Sequence, residues 1–490
     1  MASQSKVELK KELALIIKQC GISKQDSSLR KLNAHISDDN GRISNTFLGN
    51  LLVQAFGRCG NLSSARRVFD KICFTNVFSW NIMIAAYAQS GHIDEAQVLF
   101  EKAVAKNATT WNTMITAYSQ QGDVKKAKSL FDRMSCKDSI SWNSLLSTYA
   151  RNGHGERALA IFKLMDLEGF PPTELTFLVI VEVCANCLAK RDGRIIHSCI
   201  QSHGLQTKVM VATALLNMHA KFGDVETAKH MFDTMPEKNE ISWNAMLAAY
   251  SQNGYLHEAL DLFQRIPNRD VVSWNTLIGA YASHGLKREA LTAFTEMESK
   301  FSIAPNVVTF VSLLDGVNFD LAEVKSIHAR IVSSELRSEM KVATALLESY
   351  ARCGSLVDAR KIFDTIPRSD TILWNVMLAS YSSLGDSKQA IYLFRMMSVE
   401  GLMPNDLTFT VIFSVCSHAG LLRNSLEFFS FMINGCELKA SEEHYHCLSD
   451  LFGRVGWVSE ARDLFKQLPD NVAWTSLVAA CKIHGNITKT

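Results

Sequence analysis

The chain has 490 residues, a formal charge of +2, 47% hydrophobic residues and 12 cysteines. That charge is no sign of nucleic-acid binding by itself, although a local basic stripe fits inside a neutral total. The cysteines follow no disulfide framework, which suits a reducing compartment, and no run of 18 apolar residues exists, so no transmembrane helix and no membrane partner are expected.

Residues 1–45 read as a degenerate helical repeat ending in LRKLNAHI. Their start, MASQSKVELKKELALIIKQC, carries Glu8 and Glu12 and no arginine before Arg30. Organellar transit peptides are rich in Arg and Ser and poor in acids, so no import signal is read here. Tandem units follow at 46–76, 77–107, 108–138, 139–173, 174–208, 209–239, 240–270, 271–306, 307–339, 340–370, 371–405, 406–441 and 442–470, with a partial unit at 471–490. The 271–306 unit shows the plan. Trp274, Leu277, Ile278 and Tyr281 form one apolar helical face, Gly285 closes that helix, and Ala290, Phe294 and Met297 form the face of a second. Neither helix can bury its face alone.

Seven tryptophans mark the period: Trp80, Trp111, Trp142, Trp243, Trp274, Trp374 and Trp474. Their spacings of 31, 31, 101, 31, 100 and 100 residues resolve into units of about 31 and about 35. Self-similarity at that period predicts an all-α fold, a right-handed superhelical solenoid of helix-turn-helix repeats. No Pro-, Gly- or Ser-rich linker interrupts it, so no second domain is expected.

The units NVFSWNIMIAAYAQSGHIDEAQVLF, EISWNAMLAAYSQNGYLHEALDLF and TILWNVMLASYSSLGDSKQAIYLF resemble plant pentatricopeptide repeats of the subfamily in which long, ordinary and short repeats alternate. The terminal SEEHYHCLSDLFGRVG and WTSLVAACKIHGN are similar to the endings of organellar RNA-editing factors. On that resemblance the extension is expected to be truncated, without the deaminase domain some members carry. The resemblance implies sequence-specific binding of single-stranded RNA for C-to-U editing in an organelle, the mitochondrion rather than the chloroplast. The deaminase would come in trans from another repeat protein or an editing cofactor. The alternatives are a transcript-stabilising, splicing or translation factor, and a protein-scaffolding solenoid that binds no RNA.

A polar residue recurs beside each tryptophan, off the apolar stripe: Asn81, Asn112, Asn143, Asn244, Asn275 and Asn375, with Asn50 in LGN and Thr213 and Thr344 in VAT. A purely structural asparagine there would cap the helix. Stacked down one concave face, the same groups make a row of hydrogen-bonding fingers, as in modular RNA readers that spend two or three side chains on one base. The resemblance implies that the fifth and last residues of a repeat read a base and that the second packs between bases. The pairs are then Asn50/Asn76, Asn81/Asn107, Asn112/Asp138, Asn143/Thr173, Thr213/Asn239, Asn244/Asp270, Asn275/Asn306, Thr344/Asp370 and Asn375/Asn405. Family preferences (Thr/Asn for A, Thr/Asp for G, Asn/Asp for U, Asn/Asn for a pyrimidine) imply the target 5′-Y-Y-U-Y-n-A-U-Y-n-G-Y. Leu178 and Val311 hold the fifth place of long-type repeats and should read little.

No catalytic residue, metal or cofactor is expected. His154-Gly-Glu156 followed by Cys184-Ala-Asn-Cys187 imitates a zinc deaminase signature. Yet His154 falls in a repeat turn, ERALAIF fills the usual second helix, and Val183 stands where that signature has proline. Cys59 and Cys353 read as small apolar helix residues. His35, His197 and His328 recur at one place in long-type repeats and read as structural. His444 and His446 form a more metal-like pair, but EHYxCL also opens the family's terminal repeat.

Overall fold

The computed structural model describes residues 2–37, 42–316, 318–366 and 370–455. Trp474, the end of the 442–470 unit and the 471–490 extension lie outside them. Among the described residues there are 27 α-helices and no strand, only an isolated bridge between Ile43 and Ile72. The all-α expectation therefore holds. Packing divides the chain into two compact units, 1–249 and 250–490, and the division falls inside the helix Glu240–Gln252 rather than at a linker.

Within each unit the plan is a hairpin repeated. First helices begin at Thr46, Val77, Ala108, Ser139, Glu174, Val209 and Glu240 in one unit, and at Val271, Val307, Met340, Thr371, Asp406 and Glu442 in the other. A first helix packs on its own second helix and on the first helices of neighbouring hairpins. The two helices of a hairpin approach closely because the second carries a small residue at the crossing. Ala65, Ala96, Ala127, Ala158, Ala228, Ala259, Ala290, Ala359 and Ala390 all hold that place, fully buried. Gly285 closes its first helix as expected, with φ +71°, a conformation open to glycine at no steric cost.

The tryptophan is the seam between hairpins. A phenylalanine of the preceding second helix meets it edge-on: Phe69–Trp80, Phe100–Trp111, Phe131–Trp142, Phe232–Trp243, Phe263–Trp274 and Phe363–Trp374, with ring centroids 4.8–5.1 Å apart. This perpendicular geometry sets a positive ring edge against a negative ring face. Cys59 and Cys353 lie not within helices but at their C-caps, half-buried, ahead of Gly60 and Gly354 with φ +76° and +73°.

Candidate functional site

The expected row of polar groups exists, but its parts are arranged differently from the simplest expectation. The helix caps are the last residues of each repeat, not the fifth. Asn76, Asn107, Asp138, Thr173, Asp270 and Asn405 each occupy the N-cap of the next first helix and form a reciprocal box with a Ser or Thr three residues on. Asn306 does the same with Thr309, and Asn239 accepts from the Ser242 N–H at 2.9 Å. Asp370 instead accepts from the Ile372 N–H at 2.9 Å.

The fifth residues sit a turn inside their helices. Asn50, Asn81, Asn112, Asn143, Asn275, Asn375 and Thr213 are only 4–8% exposed, while Asn244 and Thr344 are half-buried. They are therefore not free fingers. A buried amide needs partners, and most of these find them in the next repeat. Asn81 Nδ2 donates to Asn107 Oδ1 at 3.0 Å, Asn143 Nδ2 to Thr173 Oγ1 at 3.1 Å, Asn275 Nδ2 to Asn306 Oδ1 at 3.1 Å, and Asn375 Nδ2 to Asn405 Oδ1 at 3.2 Å. Fifth and last residues are thus brought into direct contact at these junctions. Asn112 likewise donates to Asp138. Burial works to raise the Asp138 carboxyl, but hydrogen bonds from the Ser141 hydroxyl, the Ser141 N–H and the Asn112 amide outweigh it and hold the carboxyl below its usual range.

The threonines at the fifth place turn inward. Thr213 Oγ1 donates to Val209 O at 2.7 Å and Thr344 Oγ1 to Met340 O at 2.9 Å, each within its own helix. At the long-type repeats the polar junction vanishes. Leu178 and Val311 hold the fifth place, Val211 and Val342 stand where most other junctions have Ser or Thr, and the caps Lys208 and Glu339 make no side-chain cap bond.

Beside the polar pairs runs a row of apolar side chains in water. Phe47, Phe78, Ile140, Leu175, Met210 and Ile241 in one unit, and Val272, Val308, Ile372 and Leu407 in the other, all occupy the second place of a first helix. Each is more than half exposed. Scattered exposed apolar residues need no explanation, but ten at one fixed place, interrupted only by Thr109, Lys341 and Glu443, form a patterned surface.

Sequence reasoning missed the third-place hydroxyls: Ser79, Thr110, Ser141, Thr176, Ser242, Ser273, Thr309 and Thr408. Their signal was present as Asn/Asp/Thr-x-x-Ser/Thr at every such junction.

The other candidates resolve into packing. Cys184 is fully buried, and burial pushes its thiol up to about 12. The Cys187 sulfur lies so close to Gly155 that a Cβ there would collide with it. His154 starts a second helix and meets Tyr149 at 6.2 Å between rings. Among the described residues no three His, Cys, Asp or Glu side chains converge as metal ligands. His197 Nδ1 bonds His219 Nε2 at 3.0 Å and His328 Nδ1 bonds the Tyr350 hydroxyl at 2.9 Å, so these two are tied to one equivalent repeat place. His35 is exposed, and the equivalent place there is Phe56. Buried His444 takes the third-place role: Nδ1 accepts from the Ser441 N–H at 3.1 Å and Nε2 donates to Asp406 O at 2.9 Å. No described helix is long and apolar enough to cross a membrane.

Comparison with known proteins agrees with the repeat architecture. A family model described as PPR repeat matches residues 50–73, 78–107, 109–139, 211–240, 241–271, 342–370, 407–435 and 443–471. A second, PPR repeat family, matches 137–186, 269–318 and 369–418. Together they cover most of the chain. The chain is 41% identical over 321 residues to a chloroplastic pentatricopeptide repeat-containing protein of Arabidopsis thaliana, ELI1, an alignment covering 64% of this chain and 50% of that one. It is 28% identical over 322 residues to a mitochondrial protein of the same description and organism, covering 64% and 48%. The first relatives are matched over only 34–50% of their own length. Among solved structures, the maize pentatricopeptide repeat protein PPR10 shares the fold with a TM-score of 0.53 at 19% identity, over 99% of this chain and 78% of that one.

Proposed function

This chain belongs to the pentatricopeptide repeat family, and from that premise we propose that it binds single-stranded RNA one base per repeat junction, N-terminal repeats toward the 5′ end. One observation carries the reading: an exposed apolar side chain at the second place recurs beside a hydrogen-bonding pair. A base has two apolar faces and one polar edge. Side chains spaced one per repeat can stand between successive bases, while the pair meets the Watson–Crick edge. The long-type junctions, apolar at the fifth and third places, have nothing to read an edge with.

The base-reading residues are the nine pairs from Asn50/Asn76 to Asn375/Asn405, and the target is 5′-Y-Y-U-Y-n-A-U-Y-n-G-Y. The transcript is organellar, as the names of chloroplastic and mitochondrial relatives suggest, and we place it in the mitochondrion. The alternation of long and short repeats and the SEEHYHCL opening of the last one favour a C-to-U editing role. In that role the edited C lies four nucleotides beyond the last repeat, and a deaminase acts in trans.

The sharpest test is the Thr344/Asp370 junction, which reads G. Thr344→Asn should move the preference there from G toward U, shifting relative affinity about tenfold. Matched G and U oligonucleotides are titrated against both proteins at one salt concentration, because salt alone changes affinity. Identical ranking by the two proteins would reduce Thr344 to a helix residue. Absence of RNA binding by the unaltered chain would leave the scaffolding alternative.

A further inference from the structure

The third-place hydroxyl has one proton and two acceptors competing for it. In every box it accepts the N–H of the cap residue: Asn76 N to Ser79 Oγ at 3.1 Å, Asn107 N to Thr110 Oγ1 at 3.1 Å, Asp138 N to Ser141 Oγ at 3.1 Å. Its own proton can then go to the cap residue or across to the fifth residue of the preceding repeat. Threonine and serine differ in the outcome. Thr110, Thr176, Thr309 and Thr408 reach both acceptors: their hydroxyls lie 2.6–2.7 Å from Asn81, Asn143, Asn275 and Asn375 Oδ1 and a longer 2.9–3.1 Å from the side chains of their own caps, so the shorter bond is the one across to the preceding repeat. The serines donate to their own caps: Ser79 and Ser141 to the side chains of Asn76 and Asp138 at 3.0 and 2.5 Å, and Ser242 and Ser273 to the backbone carbonyls of Asn239 and Asp270 at 2.8 Å. Asn50 Oδ1 and Asn112 Oδ1 are left buried with no donor from the protein.

The physical reason lies in χ1. A β-branched side chain has few rotamers, which restricts where a buried threonine hydroxyl can point. Serine turns freely to the nearer acceptor. The two places also vary together along the chain. Every fifth-place asparagine is followed by Ser or Thr at the third place of the next repeat, whereas Leu178 and Val311 are followed by Val211 and Val342.

We propose that the third-place hydroxyl residue is a positioning residue that sets how strictly the preceding repeat's asparagine discriminates among bases. Threonine fills the amide carbonyl's need for a donor. Serine leaves that carbonyl without a donor in the free protein, so that only a base whose N–H reaches it in the complex restores the missing bond. An acceptor-bearing edge leaves a buried carbonyl unpaired, and an unmade buried hydrogen bond costs more than a made one gains. Discrimination is therefore sharp at Asn50 and Asn112 and shallow at Asn81, Asn143, Asn275 and Asn375. This rests on the RNA reading above, but it differs from a rule based on fifth and last residues alone. Asn50/Asn76 and Asn81/Asn107 are the same pair, and such a rule makes them equivalent.

The test uses that identity. The full chain, Ser79→Thr and Thr110→Ser are titrated with oligonucleotides that carry each of the four bases at the first or the second target nucleotide, at fixed salt. In the unaltered chain the best and worst bases should differ about tenfold opposite Asn50 and only about twofold opposite Asn81. Ser79→Thr should flatten the first nucleotide, and Thr110→Ser should sharpen the second. A purely structural hydroxyl would change overall affinity or melting without changing either ranking. Equal spreads at both nucleotides, unmoved by either substitution, overturn the inference and leave the RNA reading standing. If the unaltered chain ranks no bases anywhere, the RNA reading falls and this one with it. Should the added methyl at Ser79 prevent folding, Thr110→Ser, which removes one, decides the question alone.

Discussion

The repeats 77–107 and 139–173 carry first helices with the same SWN and YA positions, VFSWNIMIAAYAQ and SISWNSLLSTYAR, yet their tryptophans live in different surroundings. Trp80 is half-buried, whereas Trp142 is 2% exposed. The incoming phenylalanine is the same in both, at 5.1 and 4.8 Å. The second helix differs: Ile93–Lys102 has 10 residues and Gly155–Leu167 has 13. The chain leaving the longer helix brings Phe170 over Trp142 at 5.9 Å. The 271–306 repeat repeats this, with Phe301 at 5.2 Å from Trp274. Closure has a cost, since the indole N–H groups of Trp142 and Trp274 are buried without an acceptor. The motif around the tryptophan fixes its neighbour on one side only, and repeat length decides the other.

The largest effect should come from emptying the two sites. Trp142→Ala should cost about 3–5 kcal/mol as a buried aromatic truncation, and Trp80→Ala about 2 kcal/mol because less apolar surface is lost. Repeat arrays unfold piecewise, so the readout is amide hydrogen exchange within the affected repeat rather than one melting temperature. Equal costs would show that the longer second helix does not seal the indole.

The caps of the two repeats should matter less. Asn76→Ala and Asp138→Ala should each weaken the helix they start by about 1 kcal/mol, seen as faster exchange in Val77–Gln89 or Ser139–Arg151. An unchanged exchange rate in either helix would mean that its box is redundant with packing.

The smallest effect separates the two caps by charge. Asp138 has a folded pKa below its unfolded value, so its stabilisation is fully present above the ordinary carboxylate range and is lost as pH falls through the depressed folded value. Asn76 cannot titrate. Lowering the pH through the carboxylate range should therefore loosen the start of Ser139–Arg151 selectively, and Asp138→Asn should abolish that selectivity. Parallel loosening of both helix starts in acid would assign the effect elsewhere.

Much of this molecule was legible in its sequence because the determinants are local. Helix starts follow from Asn/Asp/Thr-x-x-Ser/Thr boxes, a hydrogen bond spanning three residues. Hairpin turns follow from glycines such as Gly285, and the apolar faces follow from a 3.6-residue period. The recurrent polar residue beside each tryptophan could be named from its spacing, and its pairing with the last residue of the repeat from the resemblance. What spacing could not give is burial. Asn81 looked like a helix-start group facing solvent, and only the packing of the next first helix against its own turns it into a buried bridge to Asn107 and Thr110. Likewise Ser79 and Thr110 look interchangeable on paper, because both are hydroxyls three residues after a cap. Which acceptor takes the hydroxyl proton depends on a rotamer fixed by contacts between repeats, about 30 residues apart in the chain, and no local pattern contains them.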